Sequence, residues 1–166
     1  MKLSINLLSV FILFNSLCLE EIFNMNFEKP RMIDAYTLVY EKMYSDHSKE
    51  SGEYIILDME SLPFTNTTYE ERQNTIQYFK KKYDKKILNS SLFRLQQIEL
   101  ADRIGNLNIN GQLLMITNIS SNEDTEGIIV NGINYISPVS ARLYTIKLDI
   151  IDEKWIITSF HMNGIA

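Results

Sequence analysis

The fold is decided by residues 141–162, ARLYTIKLDIIDEKWIITSFHM. Apolar and polar side chains alternate through the first half of this stretch, which is typical of a strand with one buried face. Asp152 and Glu153 interrupt the alternation as a turn, and a second apolar strand follows from Trp155 to Met162. The stretch therefore predicts a long C-terminal β-hairpin whose inward face carries Tyr144, Ile146, Leu148 and Ile150.

Further strands are predicted before this hairpin. Residues 113–119 form one apolar strand, and residues 128–136 form another that contains Asn131-Gly132. This dipeptide accepts the positive φ angles of a type I′ turn, so we expect it to split residues 128–136 into two short strands. Residues 54–59 are a short apolar run that fits either an edge strand or an extended loop.

Helical patterns occupy the first half of the chain. Pro30 fits the first turn of a helix, and apolar residues recur after it at spacings of three and four. A second helix is predicted to start at Thr67 or Thr68, because each precedes a glutamate by three residues and so offers a capping box. A third, shorter helix has Ser90 or Ser91 as its cap. Helices followed by strands favour an α+β domain, with the N-terminal helices packed on a curved antiparallel sheet.

The N-terminus is typical of an export signal, predicted over residues 1–18. A basic residue precedes an apolar run over residues 3–14, which is shorter than the about 20 residues that span a membrane. Cys18 follows, and it is either the lipidated first residue of an anchored lipoprotein or lies near an ordinary cleavage site. We expect a protein that is secreted or anchored to the outer face of the cell membrane through Cys18. Residues 19–29 would form a polar leader and residues 30–166 a single domain.

The composition is that of an ordinary globular protein. Of 166 residues, 45% are hydrophobic and 22% are charged, and the formal net charge is −5. This acidic balance argues against nucleic acid as a partner, because counterion release needs a basic surface. A single cysteine excludes an intramolecular disulfide and a paired-cysteine metal site, and the sequence has no HExxH motif. We therefore predict no metal and no cofactor.

Several stretches together resemble one fold family. The hairpin over residues 142–159 places Lys154-Trp155-Ile156-Ile157 after an acidic turn, and it resembles the end of the NTF2-like, or cystatin-like, α+β cone. Residues 78–83 (YFKKKY) and 128–135 (IIVNGINY) are similar to stretches of exported proteins from Gram-positive bacteria. The resemblance covers residues 30–166 and implies the cone fold. It implies no catalytic residue, because this fold hosts isomerases, dehydratases, transport factors and binding modules.

Few side chains are candidates for chemistry. An isomerase-like site in this fold would resemble a carboxylate base that faces an oxyanion-stabilising tyrosine inside an apolar cavity. A histidine on the last strand would face the same pocket only if its side of the strand were buried. The carboxylate, tyrosine and histidine candidates are Asp34, Asp58, Tyr36, Tyr40, Tyr144 and His161.

These observations predict an exported, non-enzymatic binding or interaction domain. Its unknown partner would be a protein or small ligand, bound through the mouth of the cone or the sheet. One alternative is a cavity enzyme that uses an Asp/Tyr pair, and another is an accessory envelope protein without a pocket. A deep apolar cavity with a carboxylate at its floor would favour the enzyme, whereas a filled interior beside an exposed aromatic patch would favour an interaction module.

Overall fold

The computed structural model describes residues 30–46 and 52–165. The helices are α1 (Met32–Asp46), α2 (Tyr69–Tyr83) and α3 (Leu92–Gln97), with a 3₁₀ turn at Leu62–Phe64. The strands are β1 (Tyr54–Asp58), β2 (Lys86–Asn89), β3 (Gly111–Ser121), β4 (Ile128–Ser137), β5 (Ser140–Ile151) and β6 (Lys154–Ile165). The predicted export signal, Cys18 and the leader lie outside the described residues.

The strands form one open, mixed sheet in the order β2-β1-β3-β4-β5-β6. Strands β3 to β6 are antiparallel, whereas β1 runs parallel to both β2 and β3. The α+β prediction is confirmed. The prediction of a wholly antiparallel sheet is wrong, because the connections through α2 and α3 return the chain to the same end of the sheet before β2 and β3 begin.

The apolar run at residues 54–58 is an interior strand rather than an edge strand or a loop. Ile55 and Leu57 belong to the core under α1, and Ile56 belongs to a second core on the opposite face of the sheet. A strand that is covered on both faces has a continuous apolar sequence, which explains why β1 shows no alternation.

β4 runs without interruption from Ile128 to Ser137, so the predicted turn at Asn131-Gly132 is wrong. Both residues of this dipeptide pair with neighbours in β3 and β5. A Cβ atom on Gly132 would lie 2.5 Å from Met43 Sδ of α1. The glycine is therefore needed for the close approach of α1 to the sheet.

Helices α2 and α3 begin at predicted caps. The Thr68 backbone N–H donates to Glu71 Oε2 at 2.7 Å, and the Glu71 backbone N–H donates to Thr68 Oγ1 at 3.1 Å, which completes a capping box. Ser91 Oγ accepts a hydrogen bond from the Arg94 backbone N–H at 3.3 Å. The caps are therefore Thr68 rather than Thr67 and Ser91 rather than Ser90.

β5 and β6 form the C-terminal hairpin. Asp152 and Glu153 make its turn with φ angles of 48° and 61°, in the left-handed region. On the inward face, Tyr144, Ile146 and Leu148 are buried against α1, and Ile150 is half-buried. The pairing of β5 with β6 shifts register twice, and each shift leaves one extra residue on β6.

Apolar side chains cover both faces of the sheet. Helices α1 and α2 and the 3₁₀ turn pack on one face, over β1, β3, β4, β5 and β6. Helix α3 and the segment over residues 98–110 pack on the other face, over β1, β3 and β4. Tyr135 links this second layer to the sheet, because its hydroxyl donates to the Gly105 carbonyl at 2.9 Å.

Candidate functional site

Tyr36 and Tyr40 belong to the core. Both are buried, and the ring of Tyr36 packs edge-on against Phe64 with 4.9 Å between ring centroids. The Tyr40 hydroxyl donates to the backbone carbonyl of Asp58 at 2.7 Å, and burial holds the pKa of Tyr40 well above its ordinary value. This hydroxyl therefore ties α1 to the end of β1.

The carboxylate of Asp58 organises the turn after β1. It accepts hydrogen bonds from the Glu60 backbone N–H at 3.2 Å and from Ser61 Oγ at 2.6 Å. Tyr40 reaches the Asp58 main chain and not its carboxylate. The structure therefore gives Asp58 a local role in place of the predicted base and tyrosine pairing.

Asp34 and His161 lie apart from these residues. Asp34 is exposed on the first turn of α1, where it forms an ion pair with Arg31 at 3.0 Å. His161 is exposed on β6 and pairs with Thr145, so it lies on the opposite face of the sheet from Tyr144. Of the predicted site residues, the structure therefore brings Tyr36, Tyr40 and Asp58 together in the core, whereas Asp34, Tyr144 and His161 lie elsewhere.

Tyr144 contacts a carboxylate that was not among the candidates. Its hydroxyl donates to Asp46 Oδ2 at 3.0 Å, at the end of α1. Burial first, and then the bond to Asp46, raises the pKa of Tyr144 to about 12. Because this proton is directed to Asp46, the hydroxyl is not a free donor for an oxyanion.

Two buried amides lie under the last turns of α1. Asn134 Nδ2 donates to the Met43 carbonyl at 3.3 Å and to Gln112 Oε1 at 3.0 Å, while Asn134 Oδ1 has no hydrogen-bond partner. Both amide side chains are about 1% exposed. The unpaired oxygen is therefore enclosed by protein and offers no surface to a ligand.

Large side chains fill the space between α1 and the sheet. The fully buried aromatic residues there are Tyr40, Tyr44, Tyr144, Phe64 and Phe79. Tyr44 packs against Tyr83 of α2 with 4.6 Å between ring centroids, and Tyr144 stacks on Phe160 at 5.2 Å. Two hollows of the described part of the chain lie outside this filled interior.

A groove of about 520 Å³, here called the α1 groove, runs along the outside of α1. One wall is α2, the other is the β5–β6 turn, and the floor is α1. From α1 and the residues before it come Pro30, Arg31, Ile33, Asp34, Thr37, Leu38 and Glu41; from α2, Glu71, Asn74, Thr75 and Tyr78; and from the turn and the start of β6, Glu153, Lys154 and Trp155.

Polar contacts fix α1 against α2 beside this groove. Thr37 Oγ1 and Thr75 Oγ1 share a hydrogen bond at 3.1 Å, and further along both helices the Tyr78 hydroxyl donates to Glu41 Oε2 at 2.6 Å. The two helices therefore run in the same direction. Burial opposes ionisation of Glu41, but hydrogen bonds from Lys82 and Tyr78 hold its pKa below the ordinary value.

Trp155 fixes the opposite wall. It is the only tryptophan in the chain and is 7% exposed. Its Nε1 donates to the Arg31 carbonyl at 3.1 Å, which joins the β5–β6 turn to the start of α1. The groove therefore has two braced walls and a built-in fluorophore.

Some polar groups on the groove have no partner among the described residues. Within the part of the chain that the structure describes, the side chains of Asn74, Glu153 and Lys154 make no hydrogen bond or ion pair. Four carboxylates and two cationic side chains line the groove. Among the sequence candidates it contains only Asp34. The spacing of Asp34, Leu38 and Glu41 predicts that they share one face of α1. The packing of α1 against α2, which forms the groove, cannot be predicted from such local spacing.

A second hollow, of about 570 Å³, lies between the 3₁₀ turn and β3. Its acidic groups maintain the local structure. Asp58 holds the turn after β1, and Glu60 accepts from the Ser91 backbone N–H at 3.2 Å and pairs with Arg94 at 3.5 Å. We therefore regard the α1 groove as the better candidate site.

Within residues 30–46 and 52–165, no group of three or more His, Cys, Asp or Glu side chains is placed to bind a metal ion. No helix in the same described ranges combines the length and the apolar character needed to cross a membrane.

No protein-family model matches the sequence, and comparisons with curated proteins and with solved structures give no significant match.

Proposed function

We propose that this protein is an exported, non-enzymatic binding module that holds a segment of another protein in the α1 groove. The observation that carries the proposal is a braced groove outside an interior filled by aromatic side chains. The groove contains the apolar residues Ile33 and Leu38 and polar side chains that have no partner in the described part of the chain. Its volume is in the range of ordinary ligand sites.

The geometry gives less support to a cavity enzyme. A base and an oxyanion donor have to converge on one reacting atom. Asp34 is exposed in an ion pair with Arg31, Tyr40 donates to a main-chain carbonyl, and Tyr144 donates to Asp46. Of these groups only Asp34 lines the α1 groove, and the tyrosine hydroxyl in that groove, of Tyr78, already donates to Glu41, so no Asp/Tyr pair faces one reacting atom there.

The cone fold and the export are also part of the proposal. The packing of α1 across the antiparallel strands β3 to β6 supports an NTF2-like cone, although the parallel pairing of β1 departs from the expected sheet. The apolar run at residues 3–14 supports export, and Cys18 supports anchoring. Globomycin treatment of an expressing bacterium should cause an unprocessed precursor to accumulate if Cys18 is lipidated, and unchanged processing would indicate ordinary cleavage.

The binding proposal is tested by selecting peptides on the full-length chain and measuring their affinity through Trp155 fluorescence. Asn74 is exposed on the groove wall, so Asn74→Arg should obstruct the groove and weaken selected peptides at least tenfold. Asn118→Arg is the matched control, because it makes the same chemical change at an exposed position of β3 that does not line the groove. A selection that yields no peptide sensitive to Asn74→Arg, or peptides equally sensitive to both variants, would overturn the proposal.

A further inference from the structure

We infer that the segment held in the α1 groove is a basic amphipathic helix, an inference that rests on the binding function proposed above. The groove is bounded by two helices that run in the same direction, as the contacts Thr37–Thr75 and Glu41–Tyr78 show. Its α1 side extends from Arg31 to Glu41, which corresponds to about 15 Å or three helical turns. A groove of this length along two packed, parallel helices fits a third helix, whose apolar side chains repeat every three or four residues.

The apolar part of the recognition comes from side chains that are spaced to meet such a helix. Leu38 is half-buried in the groove, and Tyr78 is 40% exposed on the facing wall. Leu38 follows Asp34 by four residues and precedes Glu41 by three, so one apolar position is flanked by carboxylates on the same face of α1. An occupant that places apolar side chains on Leu38 and Tyr78 would bring its flanking residues close to these acids.

The charge of the occupant follows from the carboxylates at the groove. Asp34, Glu41, Glu71 and Glu153 line it, against Arg31 and Lys154, and Lys82 pairs with Glu41. The carboxylates therefore outnumber these cations by one. The Arg31–Asp34 pair is exposed, and exposed ion pairs contribute little, so an incoming cation can replace it at small cost. Glu153 has no partner in the described part of the chain. Lysine or arginine side chains beside the apolar stripe are therefore favoured over acidic ones.

The test uses three peptides without tryptophan and the full-length chain. The first is a 14-residue amphipathic helix, on the order of four turns, with leucines at i, i+3, i+4 and i+7 and lysines elsewhere. The second replaces each lysine with glutamate, and the third places a proline in the middle of the basic peptide. Trp155 fluorescence and the polarisation of labelled peptide report binding. We expect the basic helix to bind at least tenfold more tightly than either analogue and to weaken with added salt.

A charge reversal at the groove shows whether the basic peptide is attracted to the groove itself or to the acidic protein as a whole. Glu153→Lys should weaken the basic helix about fivefold, a loss of about 1 kcal/mol. Glu123→Lys makes the same change in an exposed turn outside the groove and should leave the affinity unchanged. Circular dichroism melting checks that both variants are folded.

Each other outcome has a distinct meaning. Equal binding of the acidic or proline-containing peptide, with sensitivity to Asn74→Arg retained, would overturn this inference while the proposed function stands. Equal effects of Glu153→Lys and Glu123→Lys would also overturn it. A Trp155 spectrum that changes with protein concentration, without peptide, would place a second copy in the groove and overturn it as well. If no peptide binding responds to Asn74→Arg, the proposed function itself fails.

Discussion

At Gly132 the backbone of β4 lies against α1 with no room for a side chain. In a Gly132→Ala variant, Cβ would lie 2.5 Å from Met43 Sδ and 3.2 Å from the Met115 carbonyl oxygen. The methionine side chain can turn away, but the carbonyl is part of β3. We therefore expect the free energy of unfolding, measured in urea, to fall by about 1–3 kcal/mol.

The matched control for this prediction is Gly164→Ala. Gly164 also lies in a strand, β6, and a Cβ there would have no atom within 4 Å. This variant should therefore change the free energy of unfolding by a few tenths of a kcal/mol at most. The loss from Gly132→Ala should shrink when Met43→Ala is introduced with it. Equal losses at Gly132 and Gly164 would show that the contact with Met43 is unimportant.

Residue types that face the core can be predicted from the sequence, but their partners cannot. The alternation in β5 places Tyr144 on the inward face, and the structure agrees. Its partner Asp46 lies 98 positions earlier, in a cluster of polar residues that looks like an ordinary helix end. Local patterns contain no information on such a distant pair, so the sequence assigned the carboxylate to Asp34 or Asp58 instead.

At the scale of single elements, α2 depends on its capping box. Thr68→Ala removes the acceptor for the Glu71 backbone N–H and leaves this donor without its partner. We expect the free energy of unfolding to fall by about 1 kcal/mol, as is usual for the loss of an N-cap hydroxyl. Urea unfolding at neutral pH measures this change.

Two glutamates in the first turn of α2 provide the control. Glu71→Ala removes the reciprocal bond to the Thr68 backbone N–H and should destabilise the protein, whereas Glu70→Ala removes an acid of the same turn that makes no capping contact. Both lose the same favourable interaction with the helix dipole. If Glu70→Ala costs as much as Glu71→Ala, the dipole rather than the box stabilises the helix start.

Helices and strands can be predicted from local sequence signals, but the direction in which the strands pair cannot. Alternation, caps and the acidic turn at residues 152–153 are local signals, and they correctly indicate the helices and the final hairpin. The predicted order of helices before strands is only partly right, because β1 and β2 lie between the helices. Parallel pairing of β1 with β2 and β3 depends on how α2 and α3 cross the sheet. The α1 groove has the same origin, because its walls meet only after these elements have packed.

At the scale of the whole molecule, buried tyrosines set the alkaline limit of stability. Burial raises the pKa of Tyr83 and Tyr144 to about 12, and it also raises the pKa of Tyr36, Tyr40 and Tyr135. In the unfolded chain these groups ionise near 10.0. Their contribution to stability is therefore complete below pH 10 and is lost as the pH rises through the folded values. The melting temperature should fall steeply above about pH 10.

Tyr144→Phe tests this fall of the melting temperature at alkaline pH, because phenylalanine keeps the ring and removes the ionisable group. The variant should lose about 1 kcal/mol at neutral pH with the bond to Asp46, yet its melting temperature should fall less steeply between about pH 10 and 12. Tyr69→Phe, at a tyrosine that is 72% exposed, should leave the slope unchanged. If the melting temperature fell equally steeply with pH in all three proteins, the loss of stability at alkaline pH would not come from Tyr144.

At acidic pH, stability falls as the pH decreases, and the group responsible lies in a different part of the molecule. Hydrogen bonds from Thr125 and Thr158 hold the pKa of Asp149 below its ordinary 3.8, so its contribution is present above that value and is lost as the pH falls. These bonds join the β3–β4 loop to β5 and β6. Asp149→Asn should reduce the steepness of acid unfolding, measured by circular dichroism below about pH 4. Asp124→Asn, in the same loop, is the control and should not alter it, since no such threonine bonds reach its carboxylate among the described residues.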